Sequence, residues 1–167
     1  MAGNITLRQI TAAELEMAVA LLRDADEGEE RIRATVSDEA HTTCIAREGE
    51  NVIGAATMRW EKDESEIVYI AVVPEARGRG YGKAIMARLL DEARQRKVQA
   101  VLVGPARTSL ANIAFYQKCG FRMEYVRKDY FDYIQPPIVE NGILMRDMLV
   151  LRCDLAGFLD TPSAWGL

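Results

Sequence analysis

In the first part of the chain, the spacing of the apolar positions changes from that of a strand to that of a helix. Residues 5–10 alternate loosely and predict a short first strand. Thr11 and Glu14 then stand at capping-box spacing, where the hydroxyl and the carboxylate satisfy free N–H groups at a helix start. Apolar residues follow at helical spacing to about Asp24. A second helix is predicted over residues 27–37, and its apolar edge is so thin that we expect a mobile flap on the surface.

The middle of the chain predicts a hairpin, a buried strand and an amphipathic helix. Residues 42–47 and 52–60 flank a glycine-containing turn, which indicates a β-hairpin. Residues 67–73 form an uninterrupted apolar run, as in a central strand that is covered on both faces. Pro74 ends this strand because proline cannot donate a ladder hydrogen bond. Residues 83–97 then carry an apolar stripe of helical period.

The remaining elements complete a strand–helix–strand unit and extend the sheet. Residues 101–103 predict another short buried strand, so the preceding helix would join two parallel strands in a right-handed crossover. A short helix over residues 110–118 stops at Gly120, a normal helix-terminating residue. Residues 121–133 and 143–155 predict two further strands.

Length and charge narrow the class of protein. The chain has 167 residues, of which 49% are hydrophobic, and this indicates one domain. We place that domain at residues 4–155 and a C-terminal tail at residues 156–167. The 21 Lys and Arg against 25 Asp and Glu give a net charge of −4, a poor basis for binding nucleic acid or an anionic membrane. Because the sequence has neither a membrane-length apolar stretch nor a signal-peptide pattern, we expect a cytoplasmic protein.

Side chains that could ligate a metal are few. Cys44, Cys119 and Cys153 are widely spaced, without a C-x-x-C pair, and are expected to be reduced thiols. Since His41 is the only histidine, a His/Cys zinc cluster cannot be assembled, and we expect no metal. A Cys–His nucleophile pair that uses His41 stays open on paper, although a lone histidine is more often a loop or strand-edge residue.

The most informative segment is the connection between the buried strand and the amphipathic helix, residues 74–83. Its three glycines are Gly78, Gly80 and Gly82, and its three cations are Arg77, Arg79 and Lys83. The glycines permit positive φ and a close approach of the backbone to a ligand. Successive N–H groups at a helix start attract phosphate oxygens. A flexible connection that binds nothing would explain the glycines but not the cations, so the segment predicts a phosphate site.

The two common nucleotide motifs do not fit this segment. A P-loop needs G-x-x-x-x-G-K-[ST], and a dinucleotide fingerprint needs G-x-G-x-x-G, whereas the glycines here alternate with single residues. The dinucleotide fold also uses an acidic residue after the next strand, where this chain has Gly104 and Pro105.

A different family matches the spacing. Arg77-x-x-Gly80-x-Gly82 matches the [RQ]-x-x-G-x-[GA] signature of the GCN5-related N-acetyltransferases (GNAT), and residues 115–121 resemble the family's F-Y-x-K-x-G-F. The resemblance covers about residues 4–155 in element order, and the chain looks like an uncharacterised bacterial member. It implies a mixed α/β (α+β) fold, with a mostly antiparallel central sheet, a βαβ unit and flanking helices.

The resemblance also implies acetyl-CoA as cosubstrate and acetyl transfer to a primary amine of a small molecule or a peptide, by direct attack in a ternary complex. The family's parallel strands splay apart near the thioester, which would make the Val72 N–H the donor to the thioester oxygen. Ser109 and Asn112 stand where many members carry an Asn-containing pattern, so the match is weaker there. The implied cofactor-binding residues are Ile70, Ala71, Val72, Arg77, Gly78, Arg79, Gly80, Tyr81, Gly82, Lys83, Ser109, Asn112 and Tyr116.

Two residues match catalytic positions of the family. Tyr116 corresponds to its general-acid tyrosine, since a phenol can protonate the departing thiolate. Glu66 corresponds to a base glutamate of some members and could accept the amine proton directly or through water. Each has a structural alternative, because aromatic pairs often pack helices and glutamates are common at strand starts.

The acceptor and the assembly are less defined. Residues 137–143 resemble a loop of some uncharacterised bacterial members, and we expect this loop to border the acceptor pocket. Exposed strand edges near residues 143–155 could support a homodimer. A CoA- or acetyl-CoA-binding regulatory module without turnover is the alternative function. The acids available to attract a cationic amine, or to solvate a helix face, are Asp26, Glu27, Glu29, Glu30 and Glu140.

Overall fold

The computed structural model describes residues 2–105 and 108–155. The tail predicted at residues 156–167 lies outside them. The described residues form a seven-stranded sheet in the order β1-β2-β3-β4-β5-β9-β6 and a separate two-stranded hairpin, β7-β8. The strands of the sheet are β1 (Thr6–Gln9), β2 (His41–Glu48), β3 (Asn51–Arg59), β4 (Glu64–Val72), β5 (Ala100–Val103), β6 (Arg122–Arg127) and β9 (Met148–Asp154). The hairpin consists of β7 (Val139–Glu140) and β8 (Ile143–Leu144).

The helices are α1 (Leu15–Leu21), α2 (Glu29–Ser37), α3 (Tyr81–Gln95) and α4 (Leu110–Lys118). A 3-10 turn precedes α1, and Thr11 and Glu14 form the predicted capping box there. The α3 helix packs its apolar stripe, including Ile85 and Leu89, into the main core. None of the helices in the described part of the chain has the length and hydropathy that a bilayer crossing requires.

The sheet has the predicted mixed topology. Within it, β4 and β5 pair in parallel, and the other neighbouring strands pair antiparallel. Since α3 joins β4 to β5, these three elements form the predicted βαβ unit. The observed fold is therefore the mixed, mostly antiparallel sheet with flanking helices that the family resemblance implies.

Three local predictions were wrong. The strand predicted over residues 121–133 ends at Arg127, because Asp129 adopts a positive φ of 57° and its N–H donates to the Asp147 carboxylate at 3.0 Å. The strand predicted over residues 143–155 is divided into β8 and β9. The α2 helix is not a detached flap, because its Ile32 is fully buried in a second core formed by α1, α2, β3 and β4.

Candidate functional site

The site begins where β4 loses one of its two neighbours. Residues Glu64 to Ile67 of β4 pair with Ala100 to Val103 of β5, and β5 ends there. Residues 68–72 of β4 continue with β3 as their neighbour on the other side. The two parallel strands therefore diverge after Ile67 and leave one edge of β4 open.

The backbone of the open half of β4 points in alternate directions. The Val73 N–H donates to the Ile53 carbonyl at 2.9 Å. Because successive residues of a strand face opposite neighbours, Ala71 also directs its N–H and C=O to β3, whereas Ile70 and Val72 direct theirs into the gap. If residue 54 carried a side chain, its Cβ would lie 2.1 Å from the Ala71 carbonyl oxygen. The Ala71 C=O is therefore directed toward β3, as this alternation requires. The predicted Ala71 contact can consequently be made only by its side chain.

The glycine segment forms a tight turn into α3 directly after this strand. Gly78 has φ 72° and Gly80 has φ 86°, both in the left-handed region that glycine tolerates. The helix starts at Tyr81, two residues before the predicted position, and no side chain within residues 2–105 and 108–155 caps its first N–H groups. A Cβ at Gly82 would lie 3.5 Å from the Phe115 ring, so a larger side chain there would enter the space between α3 and α4.

The three cations of this segment have different surroundings. Arg77 donates through Nε to the Val72 carbonyl at 3.0 Å and through Nη2 to the Asp24 carboxylate at 2.6 Å. Arg79 lies over the Tyr81 ring at 5.4 Å, and Lys83 is exposed in the first turn of α3. The Tyr81 side chain is buried in the main core, and its hydroxyl donates to Glu48, so only the backbone of Tyr81 can serve a phosphate.

A cleft of about 710 Å³ lies at the open edge of β4. Nine of the predicted site residues line it, namely Glu66, Ile70, Ala71, Val72, Arg77, Gly82, Ser109, Asn112 and Tyr116. The other five predicted residues, Gly78, Arg79, Gly80, Tyr81 and Lys83, lie outside its lining, in the adjoining turn. The structure thus brings the two predicted catalytic side chains to one cavity.

Tyr116 occupies the wall of the cleft that α4 supplies. Its ring makes edge contacts with Phe115 and Phe121, at centroid distances of 5.3 and 5.8 Å. Burial, with a smaller effect of Cys119, raises the pKa of Tyr116 to about 12. The phenol is therefore protonated at any ordinary pH and can act as a proton donor.

Glu66 lies on β4 beside the start of the gap. Its register partner on β3 is Arg59, and the two side chains form an ion pair at 3.1 Å. This pair holds a carboxylate at the cleft, where it can accept a proton.

The hairpin β7–β8 is fastened to the start of α4. The Glu140 carboxylate accepts hydrogen bonds from the Ser109 hydroxyl at 2.9 Å and from the Thr108 hydroxyl at 3.2 Å. The Asn141 side-chain amide donates to the Thr108 carbonyl at 2.9 Å. Glu140 also lines the cleft, so the predicted loop at residues 137–143 does border the cavity.

Sequence reasoning missed a group of aromatic and charged residues at the same cleft. The Arg31 guanidinium lies 4.1 Å from the centre of the Tyr133 ring and joins α2 to the segment after β6. The Tyr69 hydroxyl donates to the Asp26 carboxylate at 2.9 Å. Burial raises the pKa of both tyrosines to about 12. The close spacing of Tyr130, Phe131 and Tyr133 in the sequence could have indicated an aromatic cluster, but the sequence pattern predicts a strand there.

The acidic residues considered for the acceptor divide into two groups. Asp26, Glu27 and Glu140 line the cleft, whereas Glu29 and Glu30 do not. Burial raises the pKa of the Glu27 carboxyl, and the neighbouring Asp26 raises it further. No group of three or more His, Cys, Asp or Glu side chains within residues 2–105 and 108–155 is arranged to hold a metal ion.

Comparison with protein families and with the sequences of known proteins gives N-acetyltransferases in both cases. The model of the "Acetyltransferase (GNAT) family" matches residues 7–121. The uncharacterised N-acetyltransferase YvbK of Bacillus subtilis is 35% identical over 91 residues, which are 54% of this chain and 59% of that protein. The ribosomal protein bS18-alanine N-acetyltransferase of Haemophilus influenzae is 29% identical over 84 residues, which are 50% of this chain and 57% of that protein. The chain spans little more than half the length of these curated relatives.

Solved structures resemble the whole described fold. A GNAT family acetyltransferase from Elizabethkingia anophelis with acetyl-CoA bound has a TM-score of 0.84 at 29% identity, covering 92% of this chain and 100% of that one. An IAA acetyltransferase from Bacillus cereus has a TM-score of 0.79 at 31% identity, with 91% and 100% covered. The spermidine/spermine N-acetyltransferase SpeG of Vibrio cholerae, at 18% identity and a TM-score of 0.69 over 90% and 93% of the two chains, shares the fold alone.

Proposed function

Since this chain belongs to the acetyltransferase (GNAT) family, we propose that it is an acetyl-CoA-dependent N-acetyltransferase. It would transfer the acetyl group to a primary amine of a small molecule or a peptide, by direct attack in a ternary complex. The observation that carries the proposal is the open edge of β4, where Ile70 and Val72 direct backbone groups into a cleft that also contains Tyr116 and Glu66.

The residues at this cleft suit acetyl-CoA. The uncapped N–H groups after Gly80, with the positive φ of Gly78 and Gly80, would hold the pyrophosphate. Backbone groups of Ile70 would pair with the pantetheine arm as an added strand pairs with an open sheet edge, which leaves the Val72 N–H for the thioester. Bound acetyl-CoA supplies the acetyl thioester that the amine attacks. The solved relative from Elizabethkingia anophelis holds acetyl-CoA, which supports the assignment.

The Val72 N–H would stabilise charge on the thioester oxygen. It points into the gap, and no strand competes for it on that side. Arg77 occupies the Val72 carbonyl at 3.0 Å and so holds this peptide unit in place. A preorganised donor of this kind contributes about 2.7–4 kcal/mol to the transition state.

Proton transfer would use the Glu66 and Tyr116 side chains, which both line the cleft. Glu66 accepts the proton of the incoming amine, directly or through a water molecule, while Arg59 keeps the carboxylate oriented at 3.1 Å. Tyr116 then donates its hydroxyl proton to the departing thiolate. Its raised pKa of about 12 keeps that proton in place until the thiolate forms.

The acceptor would be a cationic amine. Asp26, Glu27 and Glu140 line the cleft and favour a positive charge on the approaching substrate. Relatives are named for the alanine of ribosomal protein bS18 and for spermidine, so both a peptide terminus and a polyamine belong in the test panel. Cytoplasmic location and homodimer formation stay predictions.

The test is release of free thiol from acetyl-CoA with spermidine, an alanine-terminated peptide, aminoglycosides and single amino acids as acceptors. Tyr116→Phe should lower kcat on the best acceptor by roughly 10²–10³-fold and leave acetyl-CoA affinity unchanged, because the lost hydroxyl acts after binding. Tyr125→Phe removes a hydroxyl outside the cleft and serves as the matched control. Binding of acetyl-CoA without turnover on any amine would instead support the regulatory module.

A further inference from the structure

A cation of the protein itself lies in one wall of the cleft. The Arg31 guanidinium is 4.1 Å from the centre of the Tyr133 ring, and its Nε is 3.5 Å from the Asp26 carboxylate. The Tyr69 hydroxyl donates to the same carboxylate oxygen at 2.9 Å. These four residues, the Arg31 group, all line the cleft. Because an aromatic face beside a carboxylate also suits a ligand ammonium, Arg31 fills a place that a cationic ligand could take.

Within the Arg31 group the carboxylate is buried and the arginine is not. The Asp26 side chain is 8% exposed, whereas the Arg31 side chain is 48% exposed. A carboxylate away from water needs a cationic partner, because an unpaired buried charge is costly. Within residues 2–105 and 108–155, Arg31 is the only cation that pairs with Asp26. Without the Arg31 charge, the cleft would therefore offer a carboxylate that a ligand cation could pair with.

The Arg31 group lies on the opposite face of the sheet from the proposed phosphate site. Tyr69 packs in the second core with α1 and α2, whereas Ile70, Val72 and Tyr116 pack against the main core, which contains α3. Successive side chains of a strand face opposite sides of a sheet. Acetyl-CoA held at the start of α3 and an acceptor beside Arg31 would consequently reach the open edge of β4 from different faces.

Arginines of the protein neutralise most of the carboxylates in the cleft. Five acidic residues line it. Three of them are paired with an arginine, namely Asp24, Asp26 and Glu66. Within the described parts of the chain, the other two, Glu27 and Glu140, have no arginine partner. They can attract the ammonium group that reacts, whereas the buried carboxylate that a second ammonium group would need is already taken.

The wall next to Tyr133 is aromatic and apolar. The rings of Tyr130 and Phe131 lie 6.5 and 6.4 Å from the Tyr133 ring, and both residues line the cleft. Met145 and Met148 line it as well. A wall of this kind favours an uncharged group on the acceptor, because a charge placed against apolar side chains loses its hydration.

We infer that Arg31 is a specificity-determining residue, which selects acceptors with a single amine and an uncharged, apolar or aromatic body. Arg31 occupies the place of a second cation, so a diamine or polyamine brings a like charge against it. The inference rests on the proposed function, because it names the class of acceptor for the same cleft.

The first test compares acceptors of the same size. In 1-aminopentane a methyl group replaces the second ammonium group of 1,4-diaminobutane, and 2-phenylethylamine carries an aromatic body. In the thiol-release assay, kcat/KM per amine should be at least about tenfold lower for 1,4-diaminobutane than for either monoamine. A diamine that is acetylated as efficiently as the monoamines would overturn the inference.

Removal of the Arg31 charge should change the preference in favour of the diamine. Arg31→Met should raise the ratio of kcat/KM for 1,4-diaminobutane to that for 1-aminopentane at least about tenfold, through a lower KM for the diamine. Arg31→Lys keeps a cation and should keep the original ratio within a few-fold. Arg33→Met is the matched control, since Arg33 pairs with Glu16 and Glu29 and does not line the cleft.

This result cannot come from damage to the fold, because a misfolded variant does not gain affinity for one acceptor. If Arg31→Met leaves the ratio unchanged, or if Arg33→Met raises it equally, Arg31 does not select the acceptor. The double variant Arg31→Met/Asp26→Asn should lose the gain, since a neutral amide then replaces the freed carboxylate. A gain that persists in the double variant would contradict the role given to Asp26.

Isothermal titration calorimetry separates the inference from the proposed function, because it needs no turnover. Arg31→Met should bind 1,4-diaminobutane at least about tenfold more tightly than the unmodified protein and should bind acetyl-CoA equally well. If this holds but no amine is acetylated, the proposed function fails and the selection by Arg31 stands. If amines are acetylated but Arg31→Met binds the diamine no better, the inference fails alone. Weaker binding of acetyl-CoA to Arg31→Met would assign Arg31 to the cosubstrate and also reject the inference.

Discussion

The two halves of β4 belong to one strand and have different neighbours. Glu64 to Ile67 pair with β5, and Glu66 and Ile67 also pair with β3 on the other side; the Ile67 side chain is buried in the main core. Over residues 68–72 the pairing with β3 continues, but β5 has turned away. Where both neighbours are present, the protein itself satisfies the ladder bonds of β4. The second half keeps backbone donors and acceptors that a ligand can use.

The comparison separates stability from function within one strand. A backbone group that faces β3 contributes to folding wherever it lies along β4. A backbone group that faces away from β3 contributes to folding beside β5, and under the proposed function it contributes to binding beyond the end of β5. Neighbouring residues in the open half therefore have different roles, and substitutions there can tell the two roles apart.

Proline substitution should give the largest difference between backbone groups that face β3 and those that face the gap. Ala71→Pro removes an N–H that faces β3 and should destabilise the fold by about 3 kcal/mol or more. Val72→Pro removes an N–H that faces the gap and should preserve the fold but lower turnover by roughly 10²–10³-fold. Urea unfolding and the thiol-release assay measure the two effects. Equal loss of stability in the two variants would show that the directions have been misassigned.

Truncation of one isoleucine in each half should give a smaller difference. Ile67 is 4% exposed, so Ile67→Ala should lower the free energy of unfolding by about 2–5 kcal/mol. Ile70 is only partly buried and lines the cleft. Ile70→Ala should cost less stability and should weaken acetyl-CoA binding, measured by calorimetry. A larger stability loss at Ile70 than at Ile67 would contradict this division.

The glycine turn that follows the open half can be tested against another glycine of similar backbone. Gly80 has φ 86° before α3, and Gly49 has φ 58° in the turn between β2 and β3. Alanine at either position should strain the backbone by about 1–2 kcal/mol. Only Gly80→Ala should weaken acetyl-CoA binding as well. If both variants bind acetyl-CoA like the unmodified protein, the turn does not hold the pyrophosphate.

The alkaline stability of the protein should reveal the burial of Tyr116, which faces the open half. Below pH 10 the phenol is protonated in both the folded and the unfolded chain, so its contribution to stability is complete. Between pH 10 and the folded pKa of about 12 the unfolded chain ionises first, and the free energy of unfolding falls. Tyr116→Phe should reduce this fall in urea titrations from pH 9 to pH 11. An unchanged slope would mean that the phenol is solvated.

Local pattern was enough to predict the elements that make the cleft. The apolar run after Glu66, the three alternating glycines and the helix that carries Tyr116 are each encoded within a few residues, and α4 occupies the predicted range. The resemblance to a family added the divergence of β4 and β5. Periodicity alone could not give it, because it depends on where two distant strands part.

Contacts between distant segments were out of reach of the sequence. Arg77 pairs with Asp24, Glu66 with Arg59, and Arg31 stacks on Tyr133. Each pair joins charged or aromatic residues that sequence spacing gives no reason to match. The aromatic segment after Arg127 looked like a strand because its residues have strand propensity, and the turn at Asp129 overrides that propensity.

Amide hydrogen exchange measured residue by residue, with and without acetyl-CoA, can show whether the open half of β4 binds the cosubstrate. The Ile70 and Val72 amides should exchange quickly in the free protein and become protected when acetyl-CoA is added. The Tyr69 and Ala71 amides, which face β3, should be protected in both conditions. Ile70 and Val72 amides that are already protected without acetyl-CoA, or that stay unprotected with it, would contradict the claim that the open half of β4 binds the cosubstrate.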